Sequence, residues 1–101
     1  MAKTSKAAEG GKKVRLERDL RISAAAATYA ALRAAAQGKE PRVLLDAGQV
    51  EKVDAAGLQA LLAGQRLLAA SGKSVTWAGC STQLSSAAEL LGLAGPLGIR
   101  S

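Results

Sequence analysis

Segments with strand periodicity and segments with helix periodicity alternate along this chain, and that order constrains the fold most strongly. The stretch VRLERDLRI places Val14, Leu16, Leu20 and Ile22 between charged residues, as in a half-buried strand that breaks near Arg18-Asp19. RVLL is apolar on both faces, which predicts a central strand, and SVTWAG predicts another. Because helical stretches separate these segments, we expect right-handed crossovers and a largely parallel sheet.

Three stretches have the pattern of α-helices. Ser23 is placed to cap the alanine-rich AAAATYAALRAAAQ, and Asp54 to cap a helix from about Ala55 to Ala70. A third helix begins near Ser81 or Thr82 and ends at Gly92. The final AGPLGIR predicts a short edge strand or a closing turn.

The composition excludes several kinds of site. The 101 residues suffice for one small domain, and without phenylalanine the core must be built from Leu, Val, Ile and Ala. Histidine is absent, which removes the usual general base and the commonest metal ligand. Cys80 is the single cysteine, so it has no partner for an internal disulfide or a zinc site. We therefore expect no enzyme, no metal and no cofactor.

The net charge of +6 is concentrated at the N-terminus, where residues 1–21 hold seven of the fourteen basic residues. We expect a disordered basic tail over residues 1–12 and one domain over residues 13–101. The nearly balanced remainder has no aromatic residues interleaved with basic ones, so specific nucleic-acid binding is not expected. No apolar stretch approaches a membrane span or a signal peptide, which predicts a cytoplasmic protein without membrane insertion.

The stretch VEKVDAAGLQALL raises a question about its glycine. In a helix, glycine costs on the order of 1 kcal/mol relative to alanine, so Gly57 requires a reason. A missing side chain in the first turn lets another backbone approach the helix end. That backbone could belong to a partner protein or to a neighbouring loop of this chain, and the residues alone leave both open.

The helix that follows has two faces. Its core face consists of Leu58, Leu61, Leu62, Leu68 and Ala69. A second stripe of small or apolar residues, Ala56, Ala60, Ala63 and Leu67, runs beside Gln59 and Arg66. Such a stripe is suited to docking another protein, although alanine also simply stabilises an exposed helix.

The order RVLLDAGQVEKVDAAGLQALL, then SGKSVTWAGCSTQLSSAAELLGL, resembles the STAS domain (sulfate transporter and anti-sigma factor antagonist). The matching features are the apolar strand ending in Asp46, the Asp-x-x-Gly-Leu turn of Asp54–Leu58, the long helix and the closing ELLGL. The resemblance implies an α/β fold with a mixed sheet of four to five strands packed against three or four helices. It also implies a non-enzymatic domain that docks on other proteins.

In the anti-sigma factor antagonists of this family, a partner kinase phosphorylates a serine that follows the Asp of the turn. The resemblance places Ala55 at that position, so the phosphorylation site is lost here. Whether Ser81 or Ser85 has taken over regulation stays open. The resemblance favours docking over the structural explanation, and the helix start and the stripe then give the expected partner-binding residues: Asp54, Ala55, Ala56, Gly57, Gln59, Ala60, Ala63 and Leu67.

The resemblance leaves two partners open. We favour a signalling regulator, that is, a kinase-like anti-sigma factor or a chemosensory protein, on the LLGLAGPLGI ending. The alternative is a STAS subunit that holds the ATPase of the bacterial phospholipid transporter maintaining lipid asymmetry, although those subunits usually carry threonine where Ala55 stands. A nucleotide-binding module is a third hypothesis, because a helix N-terminus can hold an anion. Against it stand the absent phosphate-loop motif and the occupation of that helix end by Asp54.

Overall fold

The computed structural model describes residues 11–99, which form five strands and four helices. The strands are β1 (Gly11–Arg15), β2 (Asp19–Leu20), β3 (Arg42–Ala47), β4 (Lys52–Val53) and β5 (Ser74–Cys80). The helices are α1 (Ile22–Gln37), α2 (Ala55–Ala70), α3 (Thr82–Leu90) and α4 (Ala94–Leu97). The α/β fold class is confirmed, and the closing segment is a short helix rather than an edge strand. Across residues 11–99, no helix is both long and apolar enough to span a membrane.

The strands form two parallel sheets. One has the order β1-β3-β5, with β3 central as its apolar run predicts, and the other pairs β2 with β4. The resemblance implies one mixed sheet of four to five strands, whereas all strand pairings within residues 11–99 are parallel. Residues 16–18 connect β1 to β2, and residues 48–51 connect β3 to β4, so these two segments separate the two ladders.

The first strand begins earlier than the charge pattern predicts. Gly11 and Lys12, expected in the disordered tail, are the first residues of β1 and lie opposite Arg42 and Val43 of β3. Pairing with the central strand therefore corrects the tail boundary at these two residues. The rest of the predicted tail, residues 1–10, lies outside the described residues.

Helices pack on one face of the three-stranded sheet. Alternate residues of β3 (Val43, Leu45 and Ala47) are buried, whereas Leu44 and Asp46 between them are half-buried. On α2 the four leucines of the predicted core face are buried, but Ala69 is exposed and does not belong to that face. The core is thus built from aliphatic side chains between this sheet face and the helices.

Helices α1 and α2 approach each other closely through glycine. A Cβ added at Gly64 would lie 2.7 Å from the Cβ of Leu32 on α1, and both residues are buried. Only a residue without a side chain fits that contact. This close packing brings the N-termini of α1 and α2 to the same end of the molecule.

Candidate functional site

Asp54 joins the starts of two helices. Its Oδ1 accepts a hydrogen bond from the Gly57 N–H at 2.8 Å, which is the N-cap interaction that the sequence predicts for α2. Its Oδ2 accepts a second hydrogen bond, at 3.0 Å, from the N–H of Ile22, the first residue of α1. One carboxylate therefore satisfies a free backbone donor of each helix and fixes the two helix starts relative to each other.

The start of α1 differs from the prediction. The N-cap residue is Arg21, whose side chain makes no capping hydrogen bond, and Ser23 lies inside the helix. Ile22, predicted to continue the buried face of a strand, is 70% exposed. The cause is the hydrogen bond from the Ile22 N–H to Asp54, which starts the helix at Ile22 with its side chain directed to solvent.

Gly57 is covered by this chain's own backbone. A Cβ at this position would overlap the carbonyl oxygen of Leu20 and lie 2.6 Å from its carbonyl carbon. The structure thus decides between the two explanations left open by the sequence, in favour of a neighbouring loop. Because Gly57 is buried beneath Leu20, it cannot form part of a partner's contact surface, and its predicted role as an open gap is wrong.

The other predicted partner-binding residues of α2 divide by exposure. Ala55, Gln59 and Ala63 are exposed, whereas Ala56, Ala60 and Leu67 are half-buried. Ala60 lies between Gly57 and Gly64 in helical spacing, on the side where α2 meets the preceding segment and α1. The accessible row is therefore Ala55, Gln59 and Ala63, with exposed Arg66 at its far end.

Exposed Ile22 extends this row. Its N–H is bonded to Asp54, the residue immediately before Ala55, so the backbone of Ile22 lies beside the start of the row. We use the term α2 surface for exposed Ile22, Ala55, Gln59 and Ala63, with half-buried Ala56, Ala60 and Leu67 along one flank. Sequence reasoning missed Ile22 because its apolar character also fits the alternation of the preceding strand.

Two acidic side chains near the start of the α2 surface have hydrogen-bond partners within the chain. The Arg21 guanidinium donates from Nε to Asp19 Oδ1 at 2.9 Å and from Nη2 to Oδ2 at 2.8 Å. These hydrogen bonds lower the pKa of Asp19 to about 2. Both Asp54 oxygens accept backbone N–H groups, as described above. The Asp19 carboxylate is thus paired with Arg21, and both Asp54 oxygens are occupied by backbone donors.

The hydroxyl groups considered as substitute regulatory sites have structural roles. Ser81 is the N-cap of α3, and its Oγ accepts a hydrogen bond from the Leu84 N–H at 3.1 Å. Ser85 is only 8% exposed, and its Oγ donates to the Thr82 carbonyl at 3.4 Å. Phosphorylation at Ser85 would require the loss of burial and of its donated hydrogen bond, whereas Ser81 is half-buried and its Oγ acts as an acceptor.

Metal ligands and the Cys80 thiol are the remaining reactive groups to consider. Within residues 11–99, no group of three or more acidic or cysteine side chains could hold a metal ion. Cys80 is half-buried, and burial raises the pKa of its thiol, which disfavours the nucleophilic thiolate. What the site offers chemically is an apolar contact surface.

Comparison with known proteins agrees with this description. No curated protein matches the chain. Residues 4–100 match a family model described as "Mlab, STAS domain". STAS domains typically interact with other proteins, generally act as non-enzymatic regulatory modules, and include anti-sigma factor antagonists and transporter-associated domains. With almost its whole length covered by that model, this chain belongs to the STAS domain family.

Proposed function

We propose that this protein is a docking module that binds a signalling regulator, either a kinase-like anti-sigma factor or a chemosensory protein, through the α2 surface. The observation that carries the proposal is the 70% exposure of Ile22 beside the start of α2. When a partner covers an exposed apolar side chain, its surface is removed from water, which favours association. Burial of an isoleucine contributes roughly 1.5–3 kcal/mol, enough to anchor a contact.

Binding at this surface is constitutive in the proposal. Ala55 occupies the position of the phosphorylated serine in related antagonists and has no oxygen to modify. A phosphate there would add up to about two negative charges to the otherwise neutral start of the α2 surface. Without that group, the partner's own state, rather than modification of this turn, would control the complex.

A second candidate partner is the ATPase subunit of a phospholipid transporter. The description of the matching family model, "Mlab, STAS domain", favours it. Both candidates would use the same α2 surface, so the surface and the partner can be tested separately. Titration of the protein with the purified kinase-like regulator and with the purified ATPase subunit encoded nearest its gene distinguishes the two.

Substitutions on the α2 surface test its role with either partner. Ala63→Arg places a long charged side chain on the exposed row, and Ile22→Ser removes the apolar anchor. We expect each to raise the Kd at least tenfold, equivalent to about 1.4 kcal/mol, in isothermal titration calorimetry. Unchanged urea midpoints would show that folding is preserved.

Matched controls lie elsewhere on the molecule. Ala69→Arg repeats the charge change on another exposed side of α2, and Leu90→Ser removes an exposed leucine from the end of α3. Both should bind like the wild-type protein. If Ala63→Arg and Ile22→Ser also bind normally, the α2 surface is not the docking site.

A further inference from the structure

β5 forms one edge of the three-stranded sheet. The sheet order is β1-β3-β5, and within residues 11–99 no strand pairs with the outer edge of β5. The Ser74 N–H donates to the Pro41 carbonyl at 3.0 Å, on the β3 side. Since successive residues of a strand direct their backbone groups to opposite sides, Val75 and Trp77 direct theirs to the outer edge.

The two edges of this sheet are protected to different degrees. β1 carries Lys12, Lys13 and Arg15, charged residues of the kind that prevent edge-to-edge pairing. β5 (SVTWAGC) contains no charged residue and no proline in a chain of net charge +6. The pairing of β5 with β3 shifts in register between Leu45 and Asp46 of β3. Ala78, which follows Trp77, is the extra residue of β5 at this bulge. The outer edge of β5 therefore lacks protection by charge or proline, and the bulge at Ala78 leaves the segment from Ser74 to Trp77 as its regular edge.

The space beside β5 is open. A groove of about 530 Å³ is lined by Val75, Thr76, Trp77, Gly79 and Cys80 of the strand and by Gly98 and Ile99. The Trp77 Nε1 donates to the Leu97 carbonyl at 2.9 Å, which places α4 against one face of β5. Thr76 and Ala78, which alternate with Trp77, are exposed. The face of the strand opposite α4 is thus open to solvent.

We propose that β5 pairs antiparallel with β5 of a second copy of this chain, which joins two three-stranded sheets into one of six strands. A two-fold axis that brings the same edge of two copies together makes the strands antiparallel and closes the assembly at two subunits. No like charges face each other across such a junction, because β5 carries none. Pairing through β1 would instead bring Lys12, Lys13 and Arg15 close to their counterparts.

Sedimentation equilibrium of the full chain from about 1 to about 300 µM tests the proposal, because mass action favours a dimer at high concentration. We expect the weight-average mass to rise from 10.2 kDa towards twice that value. The double variant Thr76→Lys/Ala78→Lys places positive charges on exposed positions of β5 and should stay monomeric throughout. The control Gln83→Lys/Ser86→Lys adds the same charge at exposed positions of α3 and should dimerise like the wild-type protein.

Hydrogen exchange identifies what covers the edge. In the dimer, the amides of Val75 and Trp77 should become more protected as the protein concentration rises. A mass of 10.2 kDa at every concentration overturns the proposal. If the Val75 and Trp77 amides are then protected at every concentration, the chain's own ends cover the edge instead of a second copy. Equal dimerisation of the wild-type protein and the Thr76→Lys/Ala78→Lys variant also overturns it.

Discussion

Asp54 contributes to the structure through each of its carboxylate oxygens separately. Oδ1 caps α2 at the Gly57 N–H, and Oδ2 holds the Ile22 N–H at the start of α1. A capping acid is ordinarily assigned to one helix, and here its removal would release a donor from each of two helices. The residue therefore positions the α2 surface as well as stabilising the fold.

Substitution of Asp54 separates these two roles. Asp54→Asn can keep a carbonyl oxygen towards Gly57, but its amide nitrogen cannot accept the Ile22 N–H. Asp54→Ala loses both hydrogen bonds. We expect urea denaturation to show a loss of about 1 kcal/mol for Asn and about 2–3 kcal/mol for Ala.

The control for Asp54 is Glu51→Ala, which removes the exposed Arg18–Glu51 ion pair, 3.6 Å between nitrogen and oxygen. Exposed ion pairs contribute about 0–1 kcal/mol, so this variant should unfold close to the wild-type midpoint. Equal stability of Asp54→Ala and Glu51→Ala would contradict the double-capping role.

At the scale of helices, the two buried glycines of α2 allow close approach of the preceding chain and of α1. Gly57 lies beneath the backbone of Leu20, and Gly64 beneath the side chain of Leu32. Helix propensity alone favours alanine over glycine by about 1 kcal/mol. Steric overlap with a backbone carbonyl opposes that preference, and the backbone cannot move as a flexible side chain can.

Gly57→Ala tests which of these effects is larger. Because the new methyl group would overlap the Leu20 carbonyl, we expect a loss of at least about 2 kcal/mol in the free energy of unfolding. The matched control is Gly95→Ala in α4, where an added Cβ would have no heavy atom within 4 Å. This substitution should leave the free energy of unfolding unchanged. A higher free energy of unfolding for Gly57→Ala than for the wild-type protein would contradict the close contact between Gly57 and the Leu20 carbonyl.

Features set by neighbouring residues could be predicted from the sequence. The apolar spacing of α2, its cap at Asp54 and its end before Ser71 lie within one segment, and its bounds agree with the prediction. The start of α1 depends on Asp54, which lies 32 residues from Ile22, so no local pattern marks it. The role of Gly57 stayed open for the same reason, because its neighbour Leu20 comes from a distant segment.

The division into two parallel sheets is likewise a property of the folded chain. The Arg18 carbonyl accepts hydrogen bonds from the Glu51 and Lys52 N–H groups, which redirects the chain between the two ladders. The alternating pattern indicates a break near Arg18-Asp19, but not which strand pairs after it. Periodicity predicted the parallel sheet and its central strand β3, whereas the short strand β4 and its pairing with β2 depended on contacts between segments.

At the scale of the whole molecule, the stability of the fold depends on its aliphatic core more than on its charges. The acidic groups in ion pairs are partly exposed, including Asp46, which lies 3.7 Å from the Lys13 Nζ and 3.9 Å from the Arg15 Nε. Asp19 differs because its pKa falls to about 2 through the hydrogen bonds from Arg21. Its contribution should appear in the acid stability of the whole chain.

The direction of that pH dependence follows from proton binding. In the unfolded chain Asp19 binds its proton near the ordinary aspartate pKa of 3.8, and in the folded chain only near about 2. The stabilisation is therefore complete above pH 3.8 and is lost as the pH falls towards about 2. Asp19→Asn should lower the thermal unfolding midpoint at about pH 6 and have little effect at about pH 2.

Glu17→Gln is the control for this pH dependence, because Glu17 is an exposed acid on the same segment and takes part in none of the ion pairs described above. Its midpoint should follow the wild-type curve across the range. A constant difference between Asp19→Asn and the wild-type protein from about pH 6 to about pH 2 would exclude Asp19 as the group that titrates.

The turn at the start of α2 is built without any contribution from the side chain at position 55. Its hydrogen bonds come from Asp54, Gly57 and Ile22, and its close contact comes from Leu20. A family member can therefore gain or lose a hydroxyl there without a change in architecture. A substitution at position 55 should therefore alter the contacts that this turn offers to other molecules and leave the fold unchanged.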